Sequence, residues 1–164
     1  MLRSWRRTLR TPALVFALAL LTVTAPSGRA TAQGLISVGI GAGGGFGNRN
    51  NNPSGSGTHG VVYAQLHPPL FPFALRGDAL VSRIGDNQTA LSVMADAVVL
   101  APIPFVVPYA LVGFGKYGIG KDGSQSGWNA GVGVRARLPN VAIFAEVRRH
   151  QRISRDLFTI GLSR

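Results

Sequence analysis

From residue 127 to 138 the chain reads GWNAGVGVRARL, with apolar and non-apolar positions alternating throughout. Trp128, Ala130, Val132, Val134, Ala136 and Leu138 share one parity, and Gly127, Asn129, Gly131, Gly133, Arg135 and Arg137 share the other. Successive side chains of a strand point to opposite faces, so the pattern predicts a ribbon with one oily face and one face of glycine and arginine. Its length suits a strand crossing a bilayer, which takes about 9–11 tilted residues.

Seven more segments alternate in the same way: 34–46, 58–66, 73–84, 89–100, 107–118, 141–149 and 156–164. In the first, Ile36, Val38, Ile40, Ala42 and Phe46 oppose Ser37 and glycines. In the third, Phe73, Leu75, Ala79 and Val81 oppose Arg76, Asp78 and Ser82; in the fourth, Leu91, Val93, Ala95, Ala97 and Val99 oppose Ser92 and Asp96. Segment 58–66 alternates least. Helical spacing is not sustained after residue 33, and scattered proline and glycine argue against long helices.

The connections alternate in character. Polar stretches follow the odd segments (47–57, 85–88, 119–126, 150–155), and proline-bearing links follow the even ones: HPPLFP, APIPFV and Pro139-Asn140. An up-and-down barrel places odd connections at one end and even ones at the other. Transmembrane barrels have longer outside loops and shorter periplasmic turns, so the N-terminus is expected on the periplasmic side.

Residues 1–32 read as a secretory signal peptide rather than as fold. Arg3, Arg6, Arg7 and Arg10 precede an apolar run over 13–23, and Ala30-Thr31-Ala32 is a small-x-small cleavage site. The barrel domain is then 33–164. It carries twelve Lys and Arg against six Asp and Glu, and no cysteine. That excludes disulfides, thiolate metal sites and a lipid-anchored N-terminal cysteine. Charged residues make up 14% of the chain, below the roughly 25% of soluble domains.

Charge scarcity decides which face is wet. A soluble barrel would need a polar exterior, but the polar parity here is mostly glycine. Glycine suits a crowded lumen. The oily parity is therefore expected to face lipid, and Arg76, Asp78, Asp96, Arg135, Arg137, Glu146 and Arg148 to form a lumen charge network. Within it, Arg135 and Arg137 are expected to pair with Asp78, Asp96 or Glu146. Eight strands leave an interior about filled by side chains. Phe46, Tyr63, Phe73, Tyr109, Tyr117, Trp128 and Phe158, near segment ends, are expected in interfacial girdles.

RGDALVSR (76–83), PYALVGFGKYG (108–118), GWNAGVGVRARL (127–138) and FAEVRRH (144–150) resemble successive strands of small bacterial outer-membrane β-barrel proteins, relatives of the transmembrane domain of outer membrane protein A. The resemblance spans 33–164 and carries no catalytic signature. It implies an all-β fold, an eight-stranded antiparallel up-and-down transmembrane barrel in the bacterial outer membrane. Such chains usually finish on an aromatic read by the barrel-insertion machinery; here Phe158, Ile160 and Leu162 keep the parity and Arg164 is last.

No motif supplies a stronger chemistry. Gly39-Ile-Gly41-Ala-Gly43-Gly44 and two overlapping runs over 113–123 satisfy GxGxxG, but no helix follows any of them. Residues 115–122 approach a phosphate loop, with Asp122 where a Ser or Thr is needed. His59, His67 and His150 lack partners at metal-ligand spacing and are expected in exposed loops or turns. Glu146, His150 and Ser154 share a parity, but four strand residues span about 13 Å, so they meet only if the loop folds back. Arg149, Arg152 and Arg155 form a basic run suited to lipid phosphate, lipopolysaccharide included.

The sequence thus predicts a monomeric barrel with a structural or envelope-interaction role, without catalysis, cofactor, metal or nucleic acid. A narrow pore for ions or small solutes and an exported soluble barrel holding an apolar ligand are the alternatives.

Overall fold

The computed structural model describes residues 35–46, 57–68, 70–84, 88–101, 103–119, 124–151 and 155–164. They form a closed barrel of eight strands in chain order. The strands are β1 (Ile36–Phe46), β2 (Gly57–Leu66), β3 (Phe73–Ile84), β4 (Gln88–Leu100), β5 (Val106–Ile119), β6 (Gln125–Arg137), β7 (Ala142–His150) and β8 (Arg155–Ser163). Each pairs antiparallel with the next, and β1 pairs with β8 from Gly39↔Ser163 to Phe46↔Asp156. Closure leaves no unpaired strand edge to template aggregation.

The β2–β3, β4–β5 and β6–β7 turns lie at one end with residues 35 and 164, here called the terminus end; the other four connections lie at the loop end. The predicted signal peptide, most of the four loop-end connections, Arg152 and Ser154 fall outside the described residues. Arg155 opens β8 rather than closing a loop.

Alternation fixes the faces. Leu75, Val112, Phe114, Val132, Ile143, Val147 and Ile160 point outward, and Val132 is 62% exposed. The inward parity is less glycine-dominated than the sequence reading held, because β2, β4 and β5 carry apolar residues on both faces. Ala74, Val98, Leu100, Val107, Tyr109 and Leu111 form one interior cluster toward the terminus end. Val61, Leu80, Met94, Tyr117 and Leu157 form another toward the loop end. Charged groups lie between them.

The predicted aromatic girdle needs correction. Phe73 and Trp128 point outward, but Tyr63, Tyr109 and Tyr117 are buried inside. Each falls on the inward parity of its strand, where a phenol brings apolar bulk and a hydroxyl to the lumen. Phe144, wholly buried, meets Tyr63 edge-on with ring centroids 5.4 Å apart. Its neighbour Gly161 is glycine for space: a Cβ there would stand 2.5 Å from Cε1 of Phe144 and 2.6 Å from Cα of Gly41.

Two turns hold non-glycine residues in left-handed backbone conformation, Leu70 at φ 70° and Phe105 at φ 67°. Such a conformation costs a non-glycine residue about 1–2 kcal/mol.

Candidate functional site

The centre of the lumen is built from two short patterns on strands that run in the same direction. β3 carries Arg76 and Asp78 two residues apart, and β7 carries Glu146 and Arg148 at the same spacing. Period two puts both members of each pair on the inner face. The order of charges is opposite on the two strands, so Arg76 meets Glu146 and Asp78 meets Arg148 across the barrel.

The geometry follows. Arg76 donates from Nε to Oδ1 of Asp78 at 2.8 Å and from Nη1 to Oε2 of Glu146 at 2.8 Å. Arg148 donates from Nε to Oε1 of Glu146 at 2.9 Å. Its Nη1 serves Asp78 at 3.1 Å and Asp96 at 2.9 Å. Nη2 of each arginine stands 2.8 Å from a carboxylate oxygen, close enough for an ion pair but off the hydrogen-bond axis. Asn129 donates to Oδ1 of Asp96 at 2.9 Å, and the Tyr109 hydroxyl donates to Oε2 of Glu146 at 2.9 Å. The Arg76 guanidinium also lies 3.9 Å from the centre of the Tyr63 ring.

All five charged side chains are at most 4% exposed. Burial at that depth is tolerable only with charge-assisted partners on nearly every oxygen and nitrogen, which this cluster has. Gly113 faces Asp96 across the β4–β5 register, and a Cβ there would stand 2.7 Å from the Asp96 carboxyl carbon. The glycine leaves that carboxylate its room.

The expected pairing of Arg135 and Arg137 with the carboxylates is therefore overturned. Arg76 and Arg148 hold Asp78, Asp96 and Glu146. Arg135 donates from Nη2 to the Tyr63 hydroxyl at 3.1 Å and to Oε1 of Gln65 at 3.2 Å, and lies over the Tyr109 ring. Arg137 ends β6 and is exposed. Arg135 stands diagonal to Glu146 across the β6–β7 register but turns its guanidinium to Tyr63, Gln65 and Tyr109 instead. Counting the central five groups, two cations face three anions; adding the half-buried Arg135 makes three of each.

The histidines also stand differently. His59 and His150 are buried on the inner face near the loop end rather than exposed: His59 falls on the inward parity of β2, and β7 continues one residue beyond the predicted 149 to include His150. Nε2 of His59 lies 2.7 Å from Oγ1 of Thr159, and Nδ1 of His150 lies 3.0 Å from the Tyr117 hydroxyl. Glu146 is held by two arginines and a tyrosine, and His150 by Tyr117, so the two do not pair with each other. Among the described residues no group of three or more His, Cys, Asp or Glu is placed to hold a metal. Arg149 is exposed on the outer face, 4.0 Å from Asp156.

No protein-family model matches the chain, and no curated protein matches it in sequence. Its fold does have solved counterparts. One is a de novo designed transmembrane β-barrel, at TM-score 0.60 and 20% identity over 79% of this chain and 93% of that one. Another is Neisserial surface protein A, at TM-score 0.57 and 16% identity over 78% and 94%. A third is Ail, the attachment invasion locus protein of Yersinia pestis, at TM-score 0.51 and 19% identity over 79% and 95%. The fold is that of the small transmembrane β-barrels. At these identities the likeness is one of architecture.

Within that architecture several interior residues escaped the sequence reading. Gln65, Asn129, Tyr63, Tyr109 and Thr159 complete hydrogen bonds to the charged and imidazole groups. Their parity placed them inside, but nothing in their spacing says which ion each would serve.

Proposed function

We propose that this chain is an integral outer-membrane β-barrel of a bacterial envelope, exported through residues 1–32 as a cleaved signal peptide, with a structural or envelope-interaction role and no catalysis. One observation carries the reading: the polarity is inverted. Five charged side chains are buried at the centre, while Leu75, Val112, Phe114 and Val132 stand outside, each more than half exposed. Apolar patches of that extent mark contact with lipid or protein rather than water. A soluble carrier of an apolar ligand would need the reverse arrangement.

The interior favours a closed barrel over a pore. The ion network fills the middle, and apolar clusters lie toward both ends. Eight strands leave little more room than these side chains take. At the loop end the outer face turns basic at Arg83, Lys116 and Arg149, all exposed. Arginine forks and lysine suit the phosphates of lipid head groups, lipopolysaccharide among them, and in the sequence Arg152 and Arg155 follow Arg149 in one basic stretch. The barrel-insertion machinery is the expected assembly partner, and the protein is expected to work as a monomer.

Fractionation of cells expressing the full chain tests this. The protein should stay with outer membranes after alkaline washing, run faster on gels unheated than boiled, and give no single-channel currents in planar bilayers. Recovery in the soluble fraction without detergent would overturn the membrane reading; steady currents would overturn the closed lumen.

A further inference from the structure

At the terminus end the chain exposes apolar side chains on its turns as well as its strands. Leu70 is 102% exposed and Phe105 78%, and Phe71, Ile103 and Leu138 are exposed beside them. Leu70 and Phe105 are also the two non-glycine residues with positive φ. An unfavourable backbone conformation that turns a large apolar side chain outward needs something apolar to receive it. We propose that these short turns are themselves membrane-embedded, so that Leu70, Phe71, Ile103 and Phe105 complete the apolar band of the barrel in the inner leaflet. The inference rests on the outer-membrane reading above and goes beyond it.

Three features support lipid as the occupant. The first is height. On β3 the outward apolar run goes from Phe73 to Val81 before Arg83, and on β5 from Val106 to Phe114 before Lys116. Eight residue steps of about 3.3 Å, tilted by about 40°, give a band roughly 20 Å tall. Barrels of this kind have a band of about 25 Å. The polar residues that follow Val81 and Phe114 block extension toward the loop end, so the missing height has to come from the turns.

The second is charge. Residues 68–75 and 97–108 contain no Asp, Glu, Lys or Arg. An aqueous turn would carry polar side chains; these carry proline, leucine, isoleucine and phenylalanine.

The third is backbone satisfaction, which hydrocarbon demands of any segment entering it. Pro68, Pro72, Pro104 and Pro108 have no N–H to satisfy. Several of the remaining groups bond locally: Ile103 N to Ala101 O at 2.8 Å, Val106 N to Pro104 O at 2.8 Å and Arg137 N to Phe105 O at 2.7 Å. The one polar side chain in the first turn, His67, donates from Nε2 to Phe71 O at 2.8 Å.

Tryptophan quenching tests the proposal, with Trp128 on the outer face as an internal reference. Protein recovered from the outer membrane is reconstituted in phosphatidylcholine vesicles whose acyl chains are brominated. Native Trp128 reports the barrel wall, and Phe105→Trp in a Trp128→Phe background reports the turn. Both reporters should lose most of their emission to brominated lipid and little to aqueous iodide. If Trp128 is quenched by lipid while the Phe105→Trp reporter is quenched only by iodide, the turns stand in water, available to a soluble protein, and the proposal fails while the barrel reading survives. If lipid quenches neither, both fail. Gel mobility verifies folding, and Leu70→Trp reads the same position if Phe105→Trp does not fold.

Discussion

Arg148 reaches across the lumen from β7 to Asp96 on β4, placing Nη1 2.9 Å from Oδ2. The same guanidinium also serves Asp78 and Glu146, so one side chain joins three carboxylates. Replacing it with methionine leaves Asp78 and Glu146 with Arg76 and leaves Asp96 with Asn129 and no cation. Removing one partner from a buried ion pair typically costs about 3–5 kcal/mol. Arg148→Met should therefore lower the urea midpoint of the refolded barrel, followed by gel mobility, by an amount in that range. An unchanged midpoint would mean that water enters the lumen and screens the acids.

Arg135 should matter less. Its partners are a hydroxyl, an amide oxygen and a tyrosine ring rather than carboxylates. Hydrogen bonds of a charged donor to neutral partners contribute about 1.5–3 kcal/mol at most, and partial exposure reduces that. Arg135→Gln is expected to destabilise by about 1 kcal/mol, clearly less than Arg148→Met in the same assay. Equal losses would show that Arg135 belongs to the central network after all.

Gly161 tests packing rather than charge. Any side chain there meets the Phe144 ring and the backbone of β1. Gly161→Val should cost about 1–3 kcal/mol through overpacking. Adding Phe144→Leu should recover only part of it, since the β1 backbone stays in place. Full recovery would locate the conflict in the ring alone.

The barrel itself was legible because period two is a strong signal when repeated eight times between turn-forming stretches. The lumen was legible only as a set. Parity put Arg76, Asp78, Asp96, Glu146 and Arg148 on one face, but pairing depends on strand stagger, which parity does not encode. A usable sign was present: Arg76-x-Asp78 and Glu146-x-Arg148 reverse each other on parallel-running strands. The buried histidines were missed for a different reason. His150 sits one residue past its predicted segment, and such a boundary error moves a residue between loop and lumen; His59 lies inside segment 58–66, whose weak alternation hides its inward parity. The tyrosines lie inside because parity, not aromaticity at a strand end, sets the face.

The basic girdle makes a prediction about lipid. Lys116→Gln with Arg149→Gln removes two exposed cations from the outer face near the loop end. Flotation with vesicles containing phosphorylated lipid A should lose most of its preference over uncharged vesicles. Retained preference would shift attention to Arg152 and Arg155.

The central claim is that the face bearing Val132 meets hydrocarbon. Val132 is 62% exposed and lies midway along the outward run of β6 from Trp128 to Ala136. An arginine on the lipid face near the bilayer midplane costs about 2–4 kcal/mol. At an ordinary aqueous surface the same change falls within about 0.5 kcal/mol. Equilibrium unfolding of Val132→Arg in phospholipid vesicles should show the larger loss. A change within the smaller range would contradict the account.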